Sequence, residues 1–375
     1  MAAVRLRIGV LGLGAVTQSV HLPLLLRRWA EFEVVAVADL SAERAAQVAG
    51  RYGIAGVFTS AAELIAAHRS GSCPLDAVLV ATSGTHGTDA LTVAEAGLPV
   101  FCEKPLALAE AEIDRLEAAG ARVQLGYMKE YDPATAELAR VLAGARLRAV
   151  TVEILHPSAE RQLRFANLLP APTDVGGDQL AAAARPTQAA LDTALGAGTA
   201  PAWRDLYAGV VIGSIVHDVS LLRHLGYAVA EVQSAHHWAA ENGDPGSVEI
   251  SGTLAGGARL HLGWHYLPDY PDYRETVTFH HDAGSASLTF GVPYLLNAPT
   301  VLTVVGTAGD GETRSEYRWP QQEAFENEVL AFYAFVTTGA RPHSQTAQGR
   351  ADLIVAQQVL ARLAPESVSG EAAGR

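Results

Sequence analysis

From Arg5 to about Tyr127 the hydrophobic positions fall into short β-branched runs separated by longer segments with helical spacing. This alternation marks βαβ units feeding a parallel sheet, whose strands are buried on both faces and so read as continuous apolar runs. It predicts strands over Arg7–Leu11, Glu33–Ala38, Ala77–Ala81, Pro99–Cys102 and Val123–Gly126, with a weaker one at Gly56–Phe58. Helices are predicted to begin near Val16, Ser41, Ser60, His86 and Ala109. Ser41 and Ser60 are N-cap residues, placed so that a hydroxyl can accept an otherwise unpaired backbone N–H.

After about Ala145 the texture changes to period-two alternation, at Ala149–Leu155, Val248–Leu254, Ala258–Tyr266, Thr276–His281, Ser287–Phe290 and Val301–Val305. Gly and Asp turns join these runs, so a large, mostly antiparallel sheet is expected. Phe325, Val329, Phe332 and Val336 recur at helical spacing before Gly339, and a second helix is predicted over Thr346–Leu363. Residues 157–203 are rich in Ala, Gly and Pro and show no period; a long segment of this kind reads as a lid or active-site loop. The fold class expected is α/β: an N-terminal doubly wound Rossmann sheet over 1–128, then an α+β substrate and oligomerisation domain over 129–320. Helices in 321–364 would pack back on the core, and 365–375 would fray.

Charge narrows the partners. With 27 Lys and Arg against 40 Asp and Glu, the net charge is −13, and no basic face is available to displace counterions from nucleic acid or anionic lipid. Cys73 and Cys102 form no CxxC and no Cys/His cluster, which excludes a disulfide scaffold and a thiolate zinc site and fits the reducing cytoplasm. His236-His237 and His280-His281 are strand neighbours that point to opposite faces, so no metal site is expected. Arg5 and Arg7 before the apolar run Ile8–Val16 resemble a signal peptide only superficially, because Gly9, Gly12 and Gly14 interrupt the run.

Candidate chemistry sits at strand ends. Gly12-Leu-Gly14-Ala15-Val16-Thr17 follows the first strand as a Gly-x-Gly turn entering a helix, with Thr17 at the third glycine position. Such a turn brings backbone N–H groups and the helix dipole to a pyrophosphate. The next strand ends at Asp39, 27 residues after Gly12, where a carboxylate can accept the adenosine ribose hydroxyls. Thr82 and His86 follow the strand ending near Ala81, and Glu103-Lys104-Pro105 follows the next strand at the same edge. Proline restricts the residue before it, so Lys104 is held where a nicotinamide would lie.

With these residues in view, the chain resembles the glucose-fructose oxidoreductase and inositol dehydrogenase (Gfo/Idh/MocA) family. The likeness runs from the Gly12 turn through Ala81-Thr82, Ala96-Gly97, Glu103-Lys104-Pro105 and Gly126-Tyr127 to His217-Asp218 and the Phe325-Glu-Asn-Glu328 helix. It implies an NAD(P)-dependent dehydrogenase acting on CH–OH groups of a sugar, cyclitol or related polyol, and a homodimer or homotetramer formed through the C-terminal sheet. The cofactor expected is NAD in preference to NADP, because Asp39 would repel a 2′-phosphate, although Arg44 is the counter-argument. The resemblance gives Lys104 the reacting oxygen and His217 the proton, while Tyr127, Lys129, His156 and Ser214 are candidate substrate contacts. The family's aspartate four residues before the histidine is here Gly213. A 3.6-residue period would set 213 and 217 on one face and leave Asp218 about a quarter turn away for a structural hydrogen bond. The vacant acid position also admits an NAD-bound epimerase or lyase, or a sensor or scaffold that has lost turnover.

Overall fold

The computed structural model describes residues 4–240 and 243–363. In chain order the elements are β1 (Leu6–Leu11), a π-helical turn (Thr17–His21) running into α1 (Leu22–Arg27), β2 (Phe32–Ala38), α2 (Ala42–Tyr52), β3 (Gly56–Phe58), α3 (Ala61–Ser70), β4 (Ala77–Val80), α4 (Gly87–Ala94), β5 (Val100–Glu103), α5 (Glu110–Ala118) and β6 (Val123–Gly126). A 3-10 turn (Met128–Tyr131), α6 (Pro133–Val141), β7 (Leu147–His156), α7 (Ala159–Leu163), α8 (Gly177–Leu195) and α9 (Pro201–Asp205) follow. A π-helical stretch (Leu206–Ile215) continues into α10 (Val216–His224). Then come β8 (Val229–Trp238), β9 (Ser247–Leu254), β10 (Arg259–Tyr266), β11 (Arg274–His281), β12 (Gly284–Phe290), β13 (Val301–Ala308) and β14 (Gly311–Tyr317), before α11 (Ala324–Thr338) and α12 (Thr346–Leu363).

The fold class is the one expected: a parallel six-stranded sheet in the order β3-β2-β1-β4-β5-β6, and an eight-stranded sheet in the order β14-β13-β12-β11-β7-β10-β9-β8. In the second sheet the β7–β10 pairing is parallel and the others are antiparallel. The chain divides into two compact units, one of residues 1–127, 166–197 and 328–353, the other of 128–165, 198–327 and 354–375. Residues 166–197, expected with the second domain, thus cluster with the first unit. The tail predicted to fray over 365–375 lies outside the described residues.

In the first unit both N-caps form. Ser41 Oγ accepts the Arg44 N–H at 2.9 Å and Ser60 Oγ accepts that of Glu63 at 3.2 Å. Ile8, Val10, Val37, Leu79 and Phe101 build the core of the parallel sheet, and α11 adds Val329, Phe332 and Phe335 to it. Phe101 meets Phe332 edge to face at 5.5 Å. Each such side chain, fully enclosed, contributes roughly 1.5–3 kcal/mol.

In the second unit the strands alternate. Val150, Val152 and Ile154 of β7, Leu260, Leu262 and Trp264 of β10, and Val277 and Phe279 of β11 are buried, whereas Thr151, Glu153 and His261 lie on the opposite face. Residues 201–224, which carry α9, the π stretch and α10, are long and apolar enough to cross a bilayer, yet 67% of their apolar window is buried within the protein. Tyr207, Val211, Ile215, Leu221 and Leu222 give this run the burial of a core helix.

Candidate functional site

In the parallel sheet the strand order reverses between β1 and β4, the position at which doubly wound sheets bind ligands beyond their carboxyl ends. Gly12 stands there with φ +89°, and a Cβ on it would lie 2.4 Å from the Ala81 carbonyl oxygen and 2.6 Å from the Thr82 nitrogen. Only glycine fits that conformation and that approach. Gly14 is different: a Cβ on it would meet nothing within 4 Å. The protein itself does not demand a glycine at 14, and a group approaching the backbone from outside would. Thr17, at the third glycine position, is fully buried and donates its Oγ1 hydrogen to the Gly12 carbonyl at 2.7 Å. The Asp39 carboxylate accepts from the Leu13 N–H at 2.9 Å and the Ser41 N–H at 3.0 Å, which fixes the glycine turn against the start of α2.

Beyond β4, Thr82 Oγ1 donates to Asp89 at 2.8 Å, and His86 Nδ1 donates to the Pro105 carbonyl at 2.6 Å, tying the β4 and β5 loops together. The Lys104–Pro105 bond is cis. Glu103 faces inward: its Oε1 pairs with His21 Nε2 at 2.7 Å and its Oε2 accepts the Lys104 N–H at 3.2 Å. Burial pushes the Glu103 carboxyl up, but the hydrogen bond and charge of His21, with Lys104 and His86 nearby, hold it below the ordinary carboxylate value. Glu103 therefore fixes the loop that carries Lys104. His21 escaped sequence reading; a histidine inside an otherwise apolar helix just after the glycine turn was the available signal.

The segment without a sequence period supplies a further part of this edge. The Leu169 N–H donates to Gln18 Oε1, Asp174 accepts from Ser41 Oγ and the Glu43 N–H, and Thr187 of α8 accepts the Thr85 N–H. These residues were not predicted, because their partners lie between 102 and 151 positions away.

Of the expected substrate contacts in the second unit, Lys129 is buried, whereas His156 and Ser214 are half-buried. Lys129, 4% exposed, pairs its ammonium with Asp218 Oδ1 at 3.2 Å and with Glu275 Oε1, and lies 4.8 Å from the centre of the Phe290 ring. Tyr273 donates its hydroxyl to Glu275 Oε2 at 2.7 Å. Lys129, expected as a substrate contact, is thus held in an internal ion pair, and Tyr127 is 2% exposed. Asp218 makes the structural bond expected of it. Glu275 was missed although the alternation puts it in phase with Val277 and Phe279, on the buried side of β11.

Ser214, a candidate substrate contact, accepts the Trp264 indole N–H on its Oγ at 3.0 Å. His156 lies against Trp264 at 5.2 Å, Tyr266 at 6.2 Å and Tyr273 at 5.7 Å, and Gln162 approaches its ring at 3.3 Å. Tyr273 joins the aromatic cluster to the Lys129 network, so Lys129, His156 and Ser214 converge in space as components of one packed assembly. Positions 213 and 217 do not share one regular α-helix, because Leu206–Ile215 is π-helical and α10 begins only at Val216. A side chain at 213 would place its Cβ 2.8 Å from the Ala208 carbonyl, five residues back, so the wider turn has no room for the family's carboxylate.

A Rossmann-type dinucleotide edge in one unit and an open mixed sheet in the other define the class. Residues 6–131 match the model for the Gfo/Idh/MocA oxidoreductase family, which has the NAD-binding Rossmann fold. Inositol 2-dehydrogenase 3 of Saccharopolyspora erythraea is 44% identical over 138 residues, covering 35% of this chain and 39% of that protein. The chain thus matches about two fifths of that relative's length. Over nearly the full chain the likeness is one of fold. UDP-N-acetylglucosamine 3-dehydrogenase from Acidithiobacillus ferrooxidans superimposes with a TM-score of 0.68 at 21% identity, covering 96% of this chain and 98% of that one. A 3-ketoreductase from Actinomadura kijaniata, solved with NADP and TDP-benzene, gives 0.69 at 18% identity, with 95% and 97% covered.

Proposed function

We propose that the protein is an NAD-dependent oxidoreductase of CH–OH groups on a sugar, cyclitol or related polyol. The observation that carries this reading is the contrast at the glycine turn, where Gly12 is required by the fold and Gly14 only by a visitor. Gly12, Gly14, Ala15 and Val16 would hold a pyrophosphate, Asp39 the adenosine ribose, and Thr82 and His86 the nicotinamide end. The bound nicotinamide supplies the hydride acceptor. Lys104, on a loop fixed by Glu103 and Pro105, is assigned the hydrogen bond to the reacting oxygen, and His217 the hydroxyl proton. The inositol dehydrogenase and UDP-sugar dehydrogenase relatives support a polyhydroxylated substrate. Asp39 favours NAD over NADP. Free Cys73 and Cys102 support the cytoplasm, and the open face of the second sheet, with Thr151, Glu153, Glu249 and His261 along it, supports a homo-oligomer.

The test is absorbance at 340 nm on purified protein with NAD and a panel of cyclitols and sugars. Oxidation of at least one is expected. Lys104→Ala should then lower turnover by about 10² to 10⁴-fold with little change in melting temperature. Gly213 favours a second reading, in which NAD is bound for epimerisation or elimination, or for sensing. Tight NAD binding with no change at 340 nm across the panel selects that reading over the first.

A further inference from the structure

The stretch 166–176 runs over the edge at which β1 and β2 end, within the same unit. The Leu169 N–H donates to Gln18 Oε1 at 3.0 Å, and Gln18 in turn donates to the Leu13 carbonyl at 2.7 Å. Farther along, Thr173 donates its N–H and hydroxyl to Glu43 Oε2. The Asp174 carboxylate accepts from Ser41 Oγ at 2.5 Å and from the Glu43 N–H at 2.9 Å. An anion from outside α2 therefore lies on the first turn of that helix, where the dipole and unpaired N–H groups favour negative charge. On the other side of Ser41 stands Asp39, which accepts the Ser41 N–H. In a Rossmann unit the carboxylate ending the second strand takes the ribose 2′-hydroxyl, and a 2′-phosphate needs a nearby arginine. Arg44 occupies that turn, and its Nε is buried with no hydrogen-bond partner among the described residues.

We propose that Asp174 is a cofactor-specificity residue, which seats its own carboxylate where the 2′-phosphate of NADP would need the first turn of α2. This rests on the dinucleotide reading above and adds to it a determinant from outside the βαβ motif. The bonds from Ser41 and the Glu43 N–H hold the Asp174 carboxyl below the usual carboxylate range, so it is anionic at neutral pH. Removing its charge leaves Ser41, the Glu43 N–H and Arg44 available to a phosphate.

Calorimetric titration of wild type, Asp174→Asn and Asp174→Ser with NAD and with NADP tests this. Wild type is expected to bind NAD the more tightly, and both variants to gain about tenfold in NADP affinity with NAD affinity within about twofold. In wild type, raising the salt concentration should narrow the NAD/NADP ratio by screening the repulsion, and it should do so less in Asp174→Asn. Wild type that prefers NADP, or variants with an unchanged ratio, overturns the role of Asp174 while leaving the dinucleotide reading intact. Wild type that binds neither nucleotide overturns that reading, and this proposal with it.

Discussion

Two buried carboxyls, Glu103 in the first unit and Asp218 in the second, move in opposite directions from their ordinary ionisation. Burial raises both. For Glu103 the surroundings are cationic, with His21 bonded to it and Lys104 and His86 close by, and its carboxyl stays below the usual value. For Asp218 the one ammonium in reach is shared with Glu275, whose charge adds to the cost of burial, and the carboxyl is pushed well up. The Lys129 charge holds Glu275 down despite burial, so of the two carboxyls Asp218 is the one pushed toward its protonated form. A carboxyl with its own cations marks an edge ordered for charge, whereas two carboxyls around one cation make a neutral, load-carrying knot in a core.

The hardest test of this comparison is to remove the shared cation. Lys129→Met should cost about 3–5 kcal/mol, because two carboxyls then stay enclosed with no counter-charge. Denaturant unfolding at neutral pH measures it. A loss under about 1 kcal/mol would mean that the ammonium is replaceable and that the second unit does not depend on the knot.

A smaller effect separates fold from function within the first unit. Gly12→Ala should destabilise by about 2–3 kcal/mol, since it sets a Cβ against the Ala81 backbone at positive φ. Gly14→Ala should stay within about 0.5 kcal/mol of wild type yet weaken NAD binding by about tenfold or more. If Gly14→Ala binds NAD as wild type does, the open space at 14 is not where the pyrophosphate lies.

The same contrast explains what the sequence disclosed. The glycine turn, Asp39, the capping serines and the Glu-Lys-Pro step sit at strand ends and helix starts, so local rules reach them, although the His21 partner of Glu103 and the Asp174 partner of Ser41 do not follow from such rules. The Lys129 knot joins residues 89 and 146 positions apart, which no local period encodes. Strands β8 and β14 went unseen for other reasons. Register shifts in β8 between Val229 and Glu231 and between Val232 and Ser234 put its apolar residues three apart. Every residue of β14 is exposed, so it has no buried face to write a pattern. Helix α8 buries only Ala190, Leu191 and Leu195, near its end, and has Pro186 within it, so its 19 residues carry no amphipathic stripe.

The smallest effect is one of sign, and it tests the opening comparison directly. Asp218 has a raised folded value, so the native state holds a proton that the unfolded chain has released above about pH 4. Its contribution is complete below the unfolded value and is lost as pH rises through the folded one, with a slope of at most about 1.4 kcal/mol per pH unit. Asp218→Asn mimics the protonated form, so it should match wild type at the acid end and become the more stable partner as pH rises. Glu103, held below its ordinary value, works the other way: its stabilisation is present above the unfolded value, near pH 4–5, and is lost as pH falls through the folded one. Glu103→Gln should therefore sit below wild type by a constant margin at neutral and alkaline pH, and the gap should close in acid. Thermal melts of the three proteins across pH decide the matter. Two curves that diverge from wild type in the same direction would show that the buried carboxyls share one kind of environment, and the distinction between edge and core would fall.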